Sequence, residues 1–201
     1  AASGEVFEGL RNQTVSRSAG DLSGQDVTLR DLEGCRVVLL GGIGALHCFN
    51  MSGCEIVVGA VGSSSILYSC ENCVFTMATK QLRVHDSKAL LFHVHTLSGP
   101  VVERCQRIAF APFDVAYDGS EAHLHEAALG TPAGAGGPWA DVQDFNWHRR
   151  QASPNWCVLP EGQRRERQAL ASTQAVAMAG SLPPPLAELE RCQGAWEAAE
   201  A

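Results

Sequence analysis

Cys35-Arg36-Val37-Val38-Leu39, Cys54-Glu55-Ile56-Val57-Val58 and Cys73-Val74-Phe75-Thr76-Met77 are three versions of one phrase, set 19 residues apart. The ladder continues at Leu90 and Ile108, with steps of 17 and 18 residues. Two residues after each rung stand Val37, Ile56, Phe75, Phe92 and Phe110. Four residues after stand Leu39, Val58, Met77, Val94 and Pro112, and six before stand Leu29, Cys48, Leu67, Val84 and Val102. Every member of these columns is apolar. Apolar residues at every second position mark strands. The same strands repeated every 17 to 19 residues mark coils stacked on one another, a parallel β-helix. Gly41-Gly42, Asn50, Ser52-Gly53, Gly62-Ser63-Ser64, Asp86-Ser87 and Ser98-Gly99 fall between the strands as corners. About five coils are expected over residues 21–113, an all-β reading. A helical reading fits poorly, because the stretch is rich in β-branched residues and interrupted by glycine.

Bulk properties bound the function. The net charge of −7 speaks against a nucleic-acid footprint. No apolar run reaches the length of about 18 residues that a membrane span requires, and no signal peptide is visible. Eight cysteines include the pair Cys70 and Cys73, spaced as in a metal or redox motif. Cys73 belongs to the inward ladder, and no second such pair exists, so both are read as reduced core thiols of a cytoplasmic protein. His93 with His95, and His123 with His125, are read as outward pairs on a strand edge or polar loop, not as metal ligands. Gly41-Gly42-Ile43-Gly44 lacks the Lys and Ser/Thr of a phosphate-binding loop.

Around the coils the composition changes. Residues 1–20 read as an extension and 118–138 as a mobile, low-complexity loop. Trp139, Phe145, Trp147 and Trp156 read as rings that cover the side or end of the solenoid. Residues 163–201 read as a tail, with a helix from Glu161 to about Ala179. The Ser181–Pro185 stretch ends that helix, and a second helix follows over about Leu186 to Glu200.

The polar columns locate a candidate site. Seven residues before each rung stand Thr28, His47, Ile66, Arg83 and Val101, and five before stand Arg30, Phe49, Tyr68, His85 and Glu103. If the columns between point inward, these point outward. Arg83 and His85 then share an outer strand, with Glu103 one coil away, beside His85 and diagonal to Arg83.

The segment Ala78-Thr79-Lys80-Gln81-Leu82-Arg83-Val84-His85 resembles the Gln-Gln-Leu-Arg motif of the tubulin-binding cofactor C domain family. Further matches follow in order: Pro100–Glu103, Ile108–Pro112, Val142–Trp147 and Ser153–Pro160. The resemblance covers about residues 20–162, with gaps near 118–138. It implies a right-handed parallel β-helix with a covering segment over 21–162. It further implies a GTPase-activating role, in which Arg83 is an arginine finger, Gln81 assists it and Glu103 aims it. Lys80, His85 and Tyr68 are the partner-facing candidates. Lys80 departs from the family's glutamine and cannot accept a hydrogen bond. By the same resemblance the partner is β-tubulin or the αβ-tubulin heterodimer, acting with tubulin-folding cofactors D and E; a small GTPase of the ADP-ribosylation-factor-like group is the alternative partner, and a non-catalytic β-helix scaffold the alternative role. GTP and magnesium belong to the partner, so no cofactor or metal is expected on this chain. The expected location is the cytoplasm, in association with the cytoskeleton.

Overall fold

The computed structural model describes residues 4–22, 24–170 and 185–201. Parallel strands stack coil upon coil into a β-solenoid. The register joins Leu29 to Cys48 to Leu67, Val37 to Ile56, and Phe75 to Phe92 to Phe110, so the columns read from the sequence are in contact as columns. All of these are buried in one interior cluster. Phe75, Phe92 and Phe110 stack at successive centroid distances of 5.3 Å, and Trp156 closes that stack edge-on at 6.4 Å.

The corners explain why a short coil can close. Gly9, Asp31, Asn50, Ser69, Asp86 and Arg104 all have positive φ, and so do Asn12, Gly34, Gly53, Asn72, Ala89 and Arg107. These two columns flank an inward column of Leu32, Met51, Cys70, Ser87 and Cys105, all buried. At this end each coil thus turns through two left-handed residues with one side chain pinned inside. Glycine and Asx tolerate this backbone, and at Gly34 a Cβ would also crowd the Asn12 side chain. The corners also bond along the stack: Asn50 Nδ2 donates to Asp31 Oδ1 at 2.6 Å, and Arg104 donates to both oxygens of Asp86 at 2.6 and 3.0 Å. Buried Ser87 is satisfied, donating to His85 O at 2.7 Å and accepting from Cys70 N at 3.1 Å. Cys70 and Cys73 lie inside, and the eight cysteines are free thiols.

Several expected boundaries move. Residues 5–18 are a coil in their own right: Glu5–Glu8 pairs with Val27–Glu33, and Thr14–Ser18 with Arg36–Ile43. The aromatic segment adds a last coil, with Gln143–Asp144 on Val101–Glu103 and Trp156–Val158 on Gln106–Pro112. Trp139 is buried against the interior, whereas Phe145 is 49% exposed, so only some of the rings cover the stack. The segment read as a mobile loop holds a helix at Ser120–Glu126, and a strand at Val115–Tyr117 precedes it. Residues 161–170 are not helical: Glu161–Gln163 is a 3-10 turn and Gln168–Leu170 a strand. The rest of that expected helix, and residues 181–184 of its proline break, lie outside the described residues. Helices Pro185–Glu190 and Gln193–Glu200 follow.

The appended elements all sit on one side. Val38 and Val57 are covered by Val115, Tyr117 and Leu170; Ala60 and Ala78 by Leu124 and Leu129; Val74, Leu91 and Ala109 by Leu159, Leu189, Ala195 and Trp196. A buried polar knot fastens this cover. Arg165 binds both oxygens of Asp114 and donates to Thr76 Oγ1 at 2.8 Å. His93 bridges Asp114 Oδ2 at 3.2 Å and Glu188 Oε2 at 3.1 Å. His95 Nε2 lies 2.9 Å from Leu129 O. Both histidines therefore point out of the solenoid as expected but are buried beneath its cover.

Truncating the stacked ring in Phe75→Ala should lower stability by about 3–5 kcal/mol, read as a shifted denaturation midpoint. Glu188 makes a second prediction. Burial pushes its carboxyl up, but the hydrogen bond from His93 and the charge of Arg165 hold it net below the usual carboxylate value. A depressed carboxylate contributes stability above its unfolded pKa and loses it as pH falls through the folded one. Tail docking, followed by the Trp196 indole resonance, should therefore persist at neutral pH and weaken on acidification below about pH 4.3. Glu188→Gln should abolish that acid-dependent step.

Candidate functional site

The strands opposite the cover remain open to solvent. They alternate strictly: Val27, Leu29, Leu46, Cys48, Leu67, Leu82 and Val84 are buried, while the residues between them face outward. The outward residues align in register, Thr28 with His47 with Ile66, Arg30 with Phe49 with Tyr68, Arg83 with Val101 and His85 with Glu103. This places Arg83 and His85 on one outer strand with Glu103 directly beside His85.

Alternation breaks once, just before the arginine. Lys80 and Gln81 both lie outside, between buried Thr79 and Leu82. Thr79 Oγ1 is bonded across the bend: it accepts from Ser65 Oγ at 3.0 Å and lies 3.1 Å from Gln81 O. The carbonyl of Lys80 is held by Leu97 N at 3.3 Å. Gln81 and Arg83 therefore straddle Leu82 on the surface, with the half-exposed Lys80 at the bend.

One side chain per coil builds a ladder of rings beside Arg83. Phe49 and Tyr68 stack at 5.8 Å with planes 4° apart, and Tyr68 and His85 at 4.5 Å and 10°. Arg30 lies over the outer side of Phe49 at 5.3 Å. At the other end His85 Nδ1 meets Glu103 Oε2 at 3.0 Å. The second oxygen of Glu103 takes Arg104 at 2.7 Å. The Arg104 hydrogen bonds and charge hold the Asp86 carboxyl below its usual value, and Asp86 and Glu103 raise the Arg104 guanidinium in turn.

This geometry corrects one expected role. Glu103 does not aim Arg83; both of its oxygens are engaged, by His85 and by Arg104. Arg83 is exposed and makes no hydrogen bond or ion pair among the described residues. Arg104 and Asp86 were not among the residues singled out from the sequence. Their signal was the corner column, where two charged residues one coil apart stand in register.

Such an array defines a β-solenoid that displays rigidly spaced side chains on one open side. The chain belongs to the tubulin binding cofactor C family, whose profile matches residues 24–145. It is 37% identical to the tubulin-specific chaperone C of Bos taurus over 160 residues, 79% of this chain and 46% of that protein. It is 35% identical to the tubulin-folding cofactor C of Arabidopsis thaliana, over 78% of this chain and 45% of that protein. Protein XRP2 of Danio rerio is 28% identical over 78% of this chain and 40% of its own length. The chain thus spans about half the length, or less, of these relatives. The solved tubulin binding cofactor C of Leishmania major superposes with a TM-score of 0.58, covering 85% of this chain and 98% of that one at 19% identity, which establishes the shared fold. Among the described residues no helix is long and apolar enough to cross a membrane, and no group of side chains is arranged to hold a metal ion.

Proposed function

We propose that this chain acts in tubulin folding as a GTPase activator, with Arg83 entering the nucleotide site of β-tubulin. The observation that carries the reading is an exposed, unpaired arginine on the open side of a rigid solenoid, in a chain of the cofactor C family. Hydrolysis of GTP builds negative charge on the β–γ bridging oxygen and the γ-phosphate. An arginine brought in by another protein neutralises that charge in a site from which water is excluded. The guanidinium suits this role because it is always charged and presents a planar fork of donors. Its freedom from internal partners means that no ion pair has to break when it docks. The solenoid holds the backbone on either side of it, so that only the side chain has to be ordered.

In this scheme the nucleotide and its magnesium stay with the partner, and this chain supplies charge and position. Gln81, beside Arg83 at the bend, offers an amide to the same site. Lys80 brings a second positive charge where the family's glutamine would bring an acceptor. The work is done in the cytoplasm with tubulin cofactors D and E. A small GTPase is the alternative recipient of the same arginine, since the physics of the finger does not depend on which protein holds the GTP.

Replacing the finger separates these ideas. Arg83→Ala should leave the melting temperature unchanged and lower cofactor-stimulated GTP hydrolysis on tubulin by about 10³-fold, equivalent to about 4 kcal/mol. Arg83→Lys should also be poor, because a point charge does not reproduce the fork. Full stimulation by the alanine variant would leave only a non-catalytic scaffold. Lys80→Gln should keep the fold and maintain or raise the stimulated rate; a large loss would assign the lysine a role of its own.

A further inference from the structure

His85 is held from two sides in a way that commits one ring nitrogen and leaves the other. Nδ1 faces the Glu103 carboxylate at 3.0 Å, and the ring lies flat on Tyr68 at 4.5 Å. Glu103 is itself braced by Arg104, which Asp86 grips with both oxygens. From the other side Phe49 supports Tyr68, and Arg30 caps Phe49. The imidazole side chain is only 14% exposed, yet Nε2 makes no hydrogen bond among the described residues. A carboxylate at Nδ1 keeps a proton on that nitrogen, and in the neutral form of the ring the lone pair is then on Nε2. An isolated surface ion pair is worth little, and one exposed carboxylate would not require this bracing. The arrangement fits a hydrogen-bond acceptor kept at a set position two residues from Arg83.

We propose that His85 is a contact residue of the Arg83 site: its Nε2 accepts a hydrogen bond from an N–H or O–H group of the protein that receives Arg83, and so sets the depth and register at which the arginine enters. The identity of that protein rests on the reading above; the state of the ring does not. The charged and titratable groups around His85 are Glu103 and Tyr68 in contact, Asp86 next in sequence, Arg104 beyond Glu103, and Arg83 along the strand.

Three measurements test this. In the free chain, nitrogen NMR of His85 should show the neutral tautomer protonated at Nδ1; the other tautomer overturns the proposal, whatever the partner. Dissociation constants for GTP-loaded αβ-tubulin should then be compared among variants. His85→Phe keeps a flat ring on Tyr68 and removes both nitrogens. It should melt like the unmodified chain and bind about 3- to 10-fold more weakly. His85→Gln places an amide near the position of Nε2, and should retain affinity. Unmodified affinity in the phenylalanine variant overturns the acceptor role. Absence of any tubulin binding by the unmodified chain overturns the choice of partner instead; the tautomer then decides the inference by itself.

Discussion

In-register stacking of short parallel coils is the constraint on which everything else in this protein depends. Adjacent strands lie about 4.8 Å apart, so a residue and its counterpart one coil away are in contact without any choice of loop or tertiary packing. The Phe75, Phe92 and Phe110 stack inside and the Phe49, Tyr68 and His85 stack outside are the same geometry on opposite sides of the backbone. Closing each coil requires left-handed backbone at two corners. Glycine and Asx accept it readily, while Ser69, Ala89, Arg104 and Arg107 adopt it because the coils above and below fix the path.

The two long sides of the solenoid have different sequence patterns, and the difference decides which side is covered. Arg36–Ile43 runs apolar through Val37, Val38, Leu39 and Leu40, the pattern of a sheet buried on both faces. Its outer side is covered by the strands at 115–117 and 168–170, and neighbouring coils carry the helices. Val27–Glu33 instead alternates apolar with polar, the pattern of a sheet with one wet face. The open side that results carries Arg83, its neighbours at the bend, and the ring ladder. Cover on one side and exposure on the other are thus complementary parts of one design.

The charges follow the same division. Beneath the cover, Arg165, Asp114, His93 and Glu188 pair with one another out of water, where an unmatched charge would be costly. On the open side Asp86, Arg104, Glu103 and His85 form a chain in solvent, where each link is weak but the geometry is shared. Arg83 stands outside both networks. For a side chain whose proposed task is to meet charge on another molecule, the lack of an internal partner is the useful property.

The fold, the inward columns, the outward placement of Arg83, His85 and Tyr68, and the position of Glu103 beside His85 were legible in the sequence, because a fixed coil length converts spacing directly into contact. The ring ladder lay in the same outward column. The first and last coils were not legible: Glu5–Glu8 and Trp156–Val158 are short strands at the ends of the stack, where the columns lose their period. Nor was the fate of His93 and His95, since outward from a solenoid need not mean exposed. Their cover is brought by residues within 114–170 and 185–196, and no spacing rule links Thr76, His93, Asp114, Arg165 and Glu188. The role of Glu103 was likewise decided in three dimensions. Register put it within reach of two cations and an imidazole, and only the folded corner at Arg104 determined that its oxygens would hold His85 and Arg104 and leave Arg83 to the solvent.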